Sequence, residues 1–270
     1  MKFTKMQGTG NDFIILEDFE DRIIEKAEAA KKLCDRHFGI GGDGILIVKN
    51  SNIADIKMEI INADGSYAAM CGNGIRCFGK YVWEKGIVNK TNISVETDDG
   101  IKYVSLTIEE NEVKGITINM GKPDFSPVNI PSTFNHEVIS EIVNINNKKY
   151  ALNSLLLGVP HTVVFEAENE YKITEGQLIE KFEAYPKGTN VNFCNVIDRK
   201  NIKVRTWERG AGATLACGTG CCSAVVVANR LNLVDNKVKV YVPGGTLVIE
   251  ITDEGVMMTG PAETVFTGDI

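Results

Sequence analysis

Two short segments of the chain set a cysteine beside a flexible, amide-rich turn: Cys71-Gly-Asn-Gly74 and Cys217-Gly-Thr-Gly220. The residues after each, Ile75 to Lys85 and Cys221 to Leu231, read as a helix, so each cysteine stands at a helix N-terminus. The positive end of the helix dipole and the backbone N–H groups there favour a thiolate. Glycines allow a ligand close to the backbone, and the amides of Gly72, Asn73, Gly218 and Thr219 make a cradle for a carboxylate or phosphate. One such turn is an ordinary helix start. Two of them around one bound molecule suit a specific reaction, in which a proton leaves one face of a carbon and another returns to the opposite face. One cysteine acts as thiolate and the other as thiol, and the roles exchange in reverse. That is racemisation or epimerisation without a cofactor. The carbanion beside a carboxylate is a poor anion, and converging helix amides stabilise the charge that develops on the carboxylate oxygens.

The elements that must position these cysteines repeat. The two motifs lie 146 positions apart. Before each, a β-rich run (Ile56–Ile61, Ile202–Trp207) ends in a polar residue, Asn62 or Glu208, nine positions ahead of the cysteine. Small-residue turns follow, Asn62-Ala-Asp-Gly-Ser66 and Glu208-Arg-Gly-Ala-Gly212. After each helix come three strand-like runs broken by turn residues: Ile93–Thr97, Ile101–Ile108 and Val113–Asn119, then Lys237–Val242, Thr246–Ile251 and Val256–Thr259. A whole order of elements repeated at near-constant offset means two copies of one domain. Val225–Ala228 has little polar face, so a buried helix at the centre of each sheet is expected. The chain is therefore read as α/β, with two pseudo-symmetric domains from an internal duplication, each a mixed, mostly antiparallel sheet wrapped around a central helix. The expected boundaries are 1–121, with 261–270 packing onto it, and 122–260. Further helices are expected at Ala27–Phe38 and Glu175–Tyr185, and Pro123 to about Asn135, with three prolines, reads as a linker.

Composition removes other classes. At about 150 residues per domain, 270 residues favour two domains. Hydrophobic residues at 43% and charged residues at 24% exclude a disordered chain. No apolar run approaches the ~18–20 residues of a membrane helix, and Met1-Lys-Phe-Thr-Lys5 lacks a signal-like stretch, so a cytoplasmic protein is expected. A net charge of −7 without a basic cluster argues against nucleic acid or an anionic membrane as partner. The seven cysteines do not suggest a disulfide framework, and the C-x2-C spacing of zinc sites is missing, so no metal is expected. Gly39-Ile-Gly-Gly-Asp-Gly44 fits G-x-G-x-x-G in letters only. It follows a helix-like run and precedes a strand, the reverse of the dinucleotide-binding context.

Three more features join the cysteine turns: Gly8-Thr-Gly-Asn-Asp-Phe13 after a strand-like start, Pro160-His161, and the Glu208-Arg209 pair. Together with Asn62-Ala-Asp-Gly-Ser66, Cys71-Gly-Asn-Gly-Ile-Arg-Cys77, Ala216-Cys-Gly-Thr-Gly220 and Met258-Thr-Gly-Pro261, in this order over essentially the whole chain, they resemble the diaminopimelate epimerase family. The resemblance implies a cofactor-independent enzyme that interconverts LL- and meso-diaminopimelate on the route to lysine and peptidoglycan, and a homodimer. It implies Cys71 and Cys217 as the proton-transfer pair, with His161 and Glu208 tuning the thiols. The amides of Gly72, Asn73, Gly218 and Thr219 would hold the α-carboxylate. Asn11, Asn62, Asn190, Glu208 and Arg209 would line the substrate site. A distal carboxylate matches a guanidinium and amides, and a distal ammonium matches a glutamate. Three positions depart from the family's usual residues: Val159 for Asn, Ala213 for Glu, and Phe266 for a tyrosine linked to dimer formation. A sibling racemase of another amino acid, such as lanthionine, is the nearest alternative. A thiol redox or metal-binding protein, which would carry bound metal or a reversible dithiol, and a non-enzymatic amino-acid-binding module are the rivals from other classes.

Overall fold

A computed structural model describes residues 1–270, which divide into two compact units, residues 1–118 with 259–270 and residues 119–258. The first contains β1 (Lys2–Gly8), β2 (Asn11–Glu17), α1 (Lys26–Cys34), β3 (Gly44–Lys49), β4 (Ile56–Asn62), β5 (Tyr67–Ala68), α2 (Gly72–Glu84), β6 (Asn92–Thr97), β7 (Gly100–Glu109) and β8 (Glu112–Asn119). The second contains β9 (Glu141–Ile145), β10 (Lys148–Leu157), β11 (Val159–Phe165), α3 (Gly176–Glu180), β12 (Asn190–Asp198), β13 (Asn201–Glu208), β14 (Gly212–Thr214), α4 (Gly218–Arg230), β15 (Lys237–Val242), β16 (Gly245–Thr252) and β17 (Gly255–Gly260). β18 (Glu263–Asp269) returns to the first unit and pairs with β1.

Strand pairing repeats as the sequence does. In the first unit β1–β2 is antiparallel, β2–β3 parallel, β3–β4 and β4–β5 antiparallel, β4–β6 parallel and β6–β7 antiparallel. In the second, β10–β11 through β15–β16 follow the same alternation, with parallel pairs β11–β12 and β13–β15. The fold is thus the duplicated mixed α/β architecture that the sequence order implies.

Each sheet has a helix against it because its strands are apolar on both faces. Ile45–Val48 in β3 and Phe13–Leu16 in β2 are buried without interruption, as strands covered on both sides must be. In the first unit α2 covers one face, against β1, β2, β4 and β7. The other face packs with α1 through Phe3, Ile14, Leu16, Ala30, Cys34, Ile45, Ile47 and Ile61. In the second unit α4, with every residue from Cys221 to Ala228 buried, packs on β10 to β13 and β16. Tyr150, Tyr171, Ile179, Tyr185 and Phe193 form a separate core beside α3.

Two helices are shorter than their periodicity suggests. α1 stops at Cys34 because the Asp35 carboxylate accepts the N–H groups of His37 and Phe38, both at 2.7 Å, and so offers the chain a turn instead of another helical step. α3 covers only Gly176–Glu180, preceded by a 3-10 turn at Ile173–Glu175. Beyond it, the Tyr185 hydroxyl is tied to Ser154 Oγ at 2.6 Å, and Pro186 disfavours helix at the residue before it. Residues 120–140 form no helix or named strand, and Asp124 makes a bridge to Leu156 within the second unit.

Candidate active site

In the first unit β4 ends at Asn62, and the turn to β5 is closed by the Asp64 carboxylate, which accepts from Ser66 N–H at 2.8 Å and Ser66 Oγ at 2.6 Å. Asn62 Nδ2 donates to Ser66 Oγ at 2.9 Å. The chain then reaches Cys71, which is the N-cap of α2 with extended backbone dihedrals. Its sulfur accepts from Gly74 N–H at 3.4 Å, and the thiol donates to Asn11 Oδ1 at 3.5 Å. Asn73 Nδ2 also reaches Asn11 Oδ1, at 3.4 Å. The sulfur therefore lies between a donor that favours thiolate and an acceptor that favours thiol.

Asn11 is held from behind. Its Nδ2 donates to Asp43 at 2.6 Å, and Arg36 bridges Asp43 at 2.8 Å and Asp12 at 2.7 Å. Buried Lys5 completes the group with an ion pair to Asp12 at 2.6 Å. Burial alone would raise the Asp12 carboxyl, but Arg36 and Lys5 outweigh it and bring it down to about 2. Arg76, fully buried on α2, donates to Thr9 Oγ1 at 3.1 Å, Gly72 O at 3.2 Å and Pro261 O at 3.2 Å. It locks the β1–β2 turn and the first turn of α2 together.

The second unit builds the same kind of turn with different chemistry. β13 ends at Glu208, β14 pairs back on it, and Cys217 is the N-cap of α4, again extended. Cys217 Sγ lies 3.4 Å from Thr219 Oγ1. Burial raises the Cys217 thiol strongly and the Glu208 charge raises it further, while Thr219 and the Gly220 N–H pull the other way. The helix terminus was expected to favour thiolate. Here dehydration wins, and the thiol is the resting form. Glu208 is itself raised by burial, against hydrogen bonds from Thr214 (2.7 Å) and Cys217. Asn190 accepts from the Arg209 N–H at 2.8 Å and donates to Pro160 O at 3.0 Å. Arg209 donates to Lys187 O at 2.9 Å. His161 is fully buried and held neutral, its pKa lowered to about 3 by burial first and the Arg209 charge second.

The model of the family described as diaminopimelate epimerase matches residues 3–126 and 154–265. The chain belongs to the diaminopimelate epimerase family. It is 57% identical to the diaminopimelate epimerase of Clostridium perfringens, over 99% of this chain and 98% of that one. It is 48% identical to that of Caldanaerobacter subterraneus, over 100% and 99%. Among solved structures, a probable proline racemase from Agrobacterium radiobacter shares the fold at a TM-score of 0.72 and 14% identity, covering 100% of this chain and 92% of that one. A phenazine biosynthesis protein from Bacillus anthracis does so at 0.71 and 15%, covering 100% and 98%.

For this member of the diaminopimelate epimerase family, the structure joins Asn11, Cys71 and Asn73 in the first unit, and Glu208, Thr219 and Cys217 in the second. Gly72 and Gly218 each open their helix. Asn62 bonds into its own turn, and His161 bonds to Asn192. The residues behind the site were not singled out from sequence: Arg36, Asp43, Arg76, Asn192 and Thr214. A signal existed for Asn192, which alternates with Asn190 along β12. Asp43 lies inside the Gly39–Gly44 motif, whose letters suggest a nucleotide loop and do not reveal a carboxylate that holds Asn11 and Arg36.

Proposed function

We propose that this chain epimerises LL-2,6-diaminopimelate to the meso isomer, with Cys71 and Cys217 as the acid–base pair at Cα. The observation that carries the reading is the duplicated device: in each unit a cysteine caps the central helix, its sulfur within reach of first-turn groups. Membership of a family whose relatives bear that activity supports it. Cys217, kept protonated by burial, enters as the proton donor. A thiolate at Cys71 removes the α-proton, Cys217 delivers one to the opposite face, and the roles reverse in the return direction. The first-turn amides of Gly72, Asn73, Gly218 and Thr219 stabilise charge on the α-carboxylate. Asn11, Asn62, Asn190, Glu208 and Arg209 recognise the substrate's amino-acid ends, and His161 and Glu208 tune the thiols. No cofactor is required by this scheme.

The same reading makes the chain a cytoplasmic enzyme of lysine biosynthesis and a homodimer. β18, which leaves Val265 and Phe266 exposed, offers an apolar surface for the latter. Stereochemically resolved conversion assays over diaminopimelate, lanthionine and related amino acids test the proposal. Turnover of LL-diaminopimelate should exceed that of the others, and Cys71→Ala or Cys217→Ala should lower it about 10²- to 10⁴-fold. Full turnover by either variant, or preference for another amino acid, would refute it.

A further inference from the structure

His161 has one ring nitrogen, Nδ1, 3.2 Å from Asn192 Nδ2, while its buried Nε2 has no hydrogen-bond partner. The Asn192 amide, itself fully buried, is fixed in orientation by what surrounds it. Oδ1 accepts from the Thr206 hydroxyl at 3.0 Å, and Nδ2 also points at the Thr162 carbonyl, 3.4 Å away. A carbonyl only accepts, so reversing the amide would set oxygen against oxygen. The amide is also wedged against α4. A Cβ on Gly220 would lie 2.2 Å from Asn192 Oδ1, so only glycine leaves room for the amide beside the first turn after Cys217.

These contacts determine the tautomer of the ring. An amide N–H aimed at Nδ1 requires a lone pair there, so the proton of neutral His161 belongs on Nε2. Adding a second proton would set two N–H groups head to head at 3.2 Å in a dry site, with the Arg209 guanidinium adding repulsion.

We propose that Asn192 is a positioning residue that locks His161 as the neutral Nε2–H tautomer, so that His161 serves the epimerase as a hydrogen-bond donor and never as the base that takes a thiol's proton. The functional half rests on the epimerase reading above; the tautomer does not. His161 has no lone pair outside the Asn192 contact, so proton traffic falls to the thiols and Glu208, and His161 offers only a fixed Nε2–H donor.

The full chain labelled with 15N tests this. Two-bond 1H–15N correlation spectra show which ring nitrogen of each histidine carries hydrogen, and His161→Gln assigns the signal among His37, His136 and His161. His161 should hold an unchanging Nε2–H pattern from pH 8.5 to 5.5, a range set by the ordinary histidine pKa of about 6.5. Asn192→Asp replaces the donor with an acceptor. It should draw the proton to Nδ1 and raise the His161 pKa by about two units, a hundredfold in protonation. It should also lower kcat about tenfold with KM within about twofold, within the range of positioned acid–base effects. An Nδ1–H pattern or titration of His161 in the parent chain would overturn the proposal, as would an unaltered His161 spectrum or kcat in Asn192→Asp. If that variant does not fold, the parent spectrum decides alone. A chain that shows the Nε2–H lock but does not epimerise diaminopimelate refutes the epimerase reading and supports the lock.

Discussion

A buried neutral histidine makes folding sensitive to acid. In the unfolded chain His161 takes up a proton near pH 6.5, but in the folded protein it does so only near pH 3. The folded pKa is lowered, so between these values the unfolded state binds more protons and stability falls as pH falls. The slope is about 1.4 kcal/mol per pH unit, or about 2 kcal/mol between pH 7 and pH 5. Urea unfolding of the parent and His161→Gln at both pH values should show that much less acid loss in the variant, whatever its stability at pH 7. Equal losses would contradict the buried neutral ring. Cys71 separates folding from chemistry differently, because its sulfur caps α2. Cys71→Ser should keep the cap and hold stability within about 0.5 kcal/mol, while Cys71→Ala should cost about 1 kcal/mol by denaturant titration. Both should lower epimerisation about 10²- to 10⁴-fold. The two cysteines stood out from sequence by their type beside glycine turns, whereas Asn11, Glu208 and Arg209 entered as substrate residues through the family resemblance. Asn192 and Asp43 were not legible, since a residue that acts by holding another one is defined by a contact that spacing does not reveal.

At the scale of elements, the central helices fit only because small residues let strands approach. A Cβ on Gly79 of α2 would meet Val104 Cγ1 of β7 at 2.7 Å. Gly79→Ala should therefore destabilise by about 1–3 kcal/mol through overpacking, despite alanine's better helix propensity. Val104→Ala alone should cost a comparable amount by opening a cavity. The double variant should regain much of the combined loss, a coupling that a double-mutant cycle reads directly. Gly79 lies two turns beyond Cys71, so kcat of the folded double variant should match the parent. Additive losses would place the contact elsewhere. The same scale explains what periodicity could not deliver. Sequence pattern placed α2, α4 and the strand runs of the duplicated motif (β4, β6–β8, β13 and β15–β17) to within a residue or three, but extended α1 to Phe38 and α3 to Tyr185 and gave no bounds for β9, β10, β12 or β18. It does not register the Asp35 side chain that intercepts two N–H groups, or the Tyr185 hydroxyl drawn to Ser154.

Duplication was legible in the chain because it preserves order: strand, turn, cysteine, helix and meander recur, and the pairing pattern recurs with them. What duplication did not preserve is the electrostatics of the two thiols. Cys71 shares its sulfur between Gly74 and Asn11, whereas Cys217 is dehydrated beside Glu208. If the two thiols work on one carbon, as proposed, they leave the isotopic signature of two unlike monoprotic acids. In D2O both thiols exchange with solvent before substrate binds. If the thiolate removes hydrogen from LL-diaminopimelate, the opposing thiol can deliver only deuterium, so the first meso product carries deuterium at its inverted carbon. If the intermediate collapses backward, the first sulfur returns the hydrogen it has just taken, and the substrate stays unlabelled. Mass spectrometry of both isomers below about 10% conversion should thus find nearly full label in the product and little in the remaining substrate, as opposed acid and base require. A single base serving both faces would wash label into the two isomers alike, or carry the original hydrogen across. Equal labelling at low conversion would leave the paired thiols without a joint task.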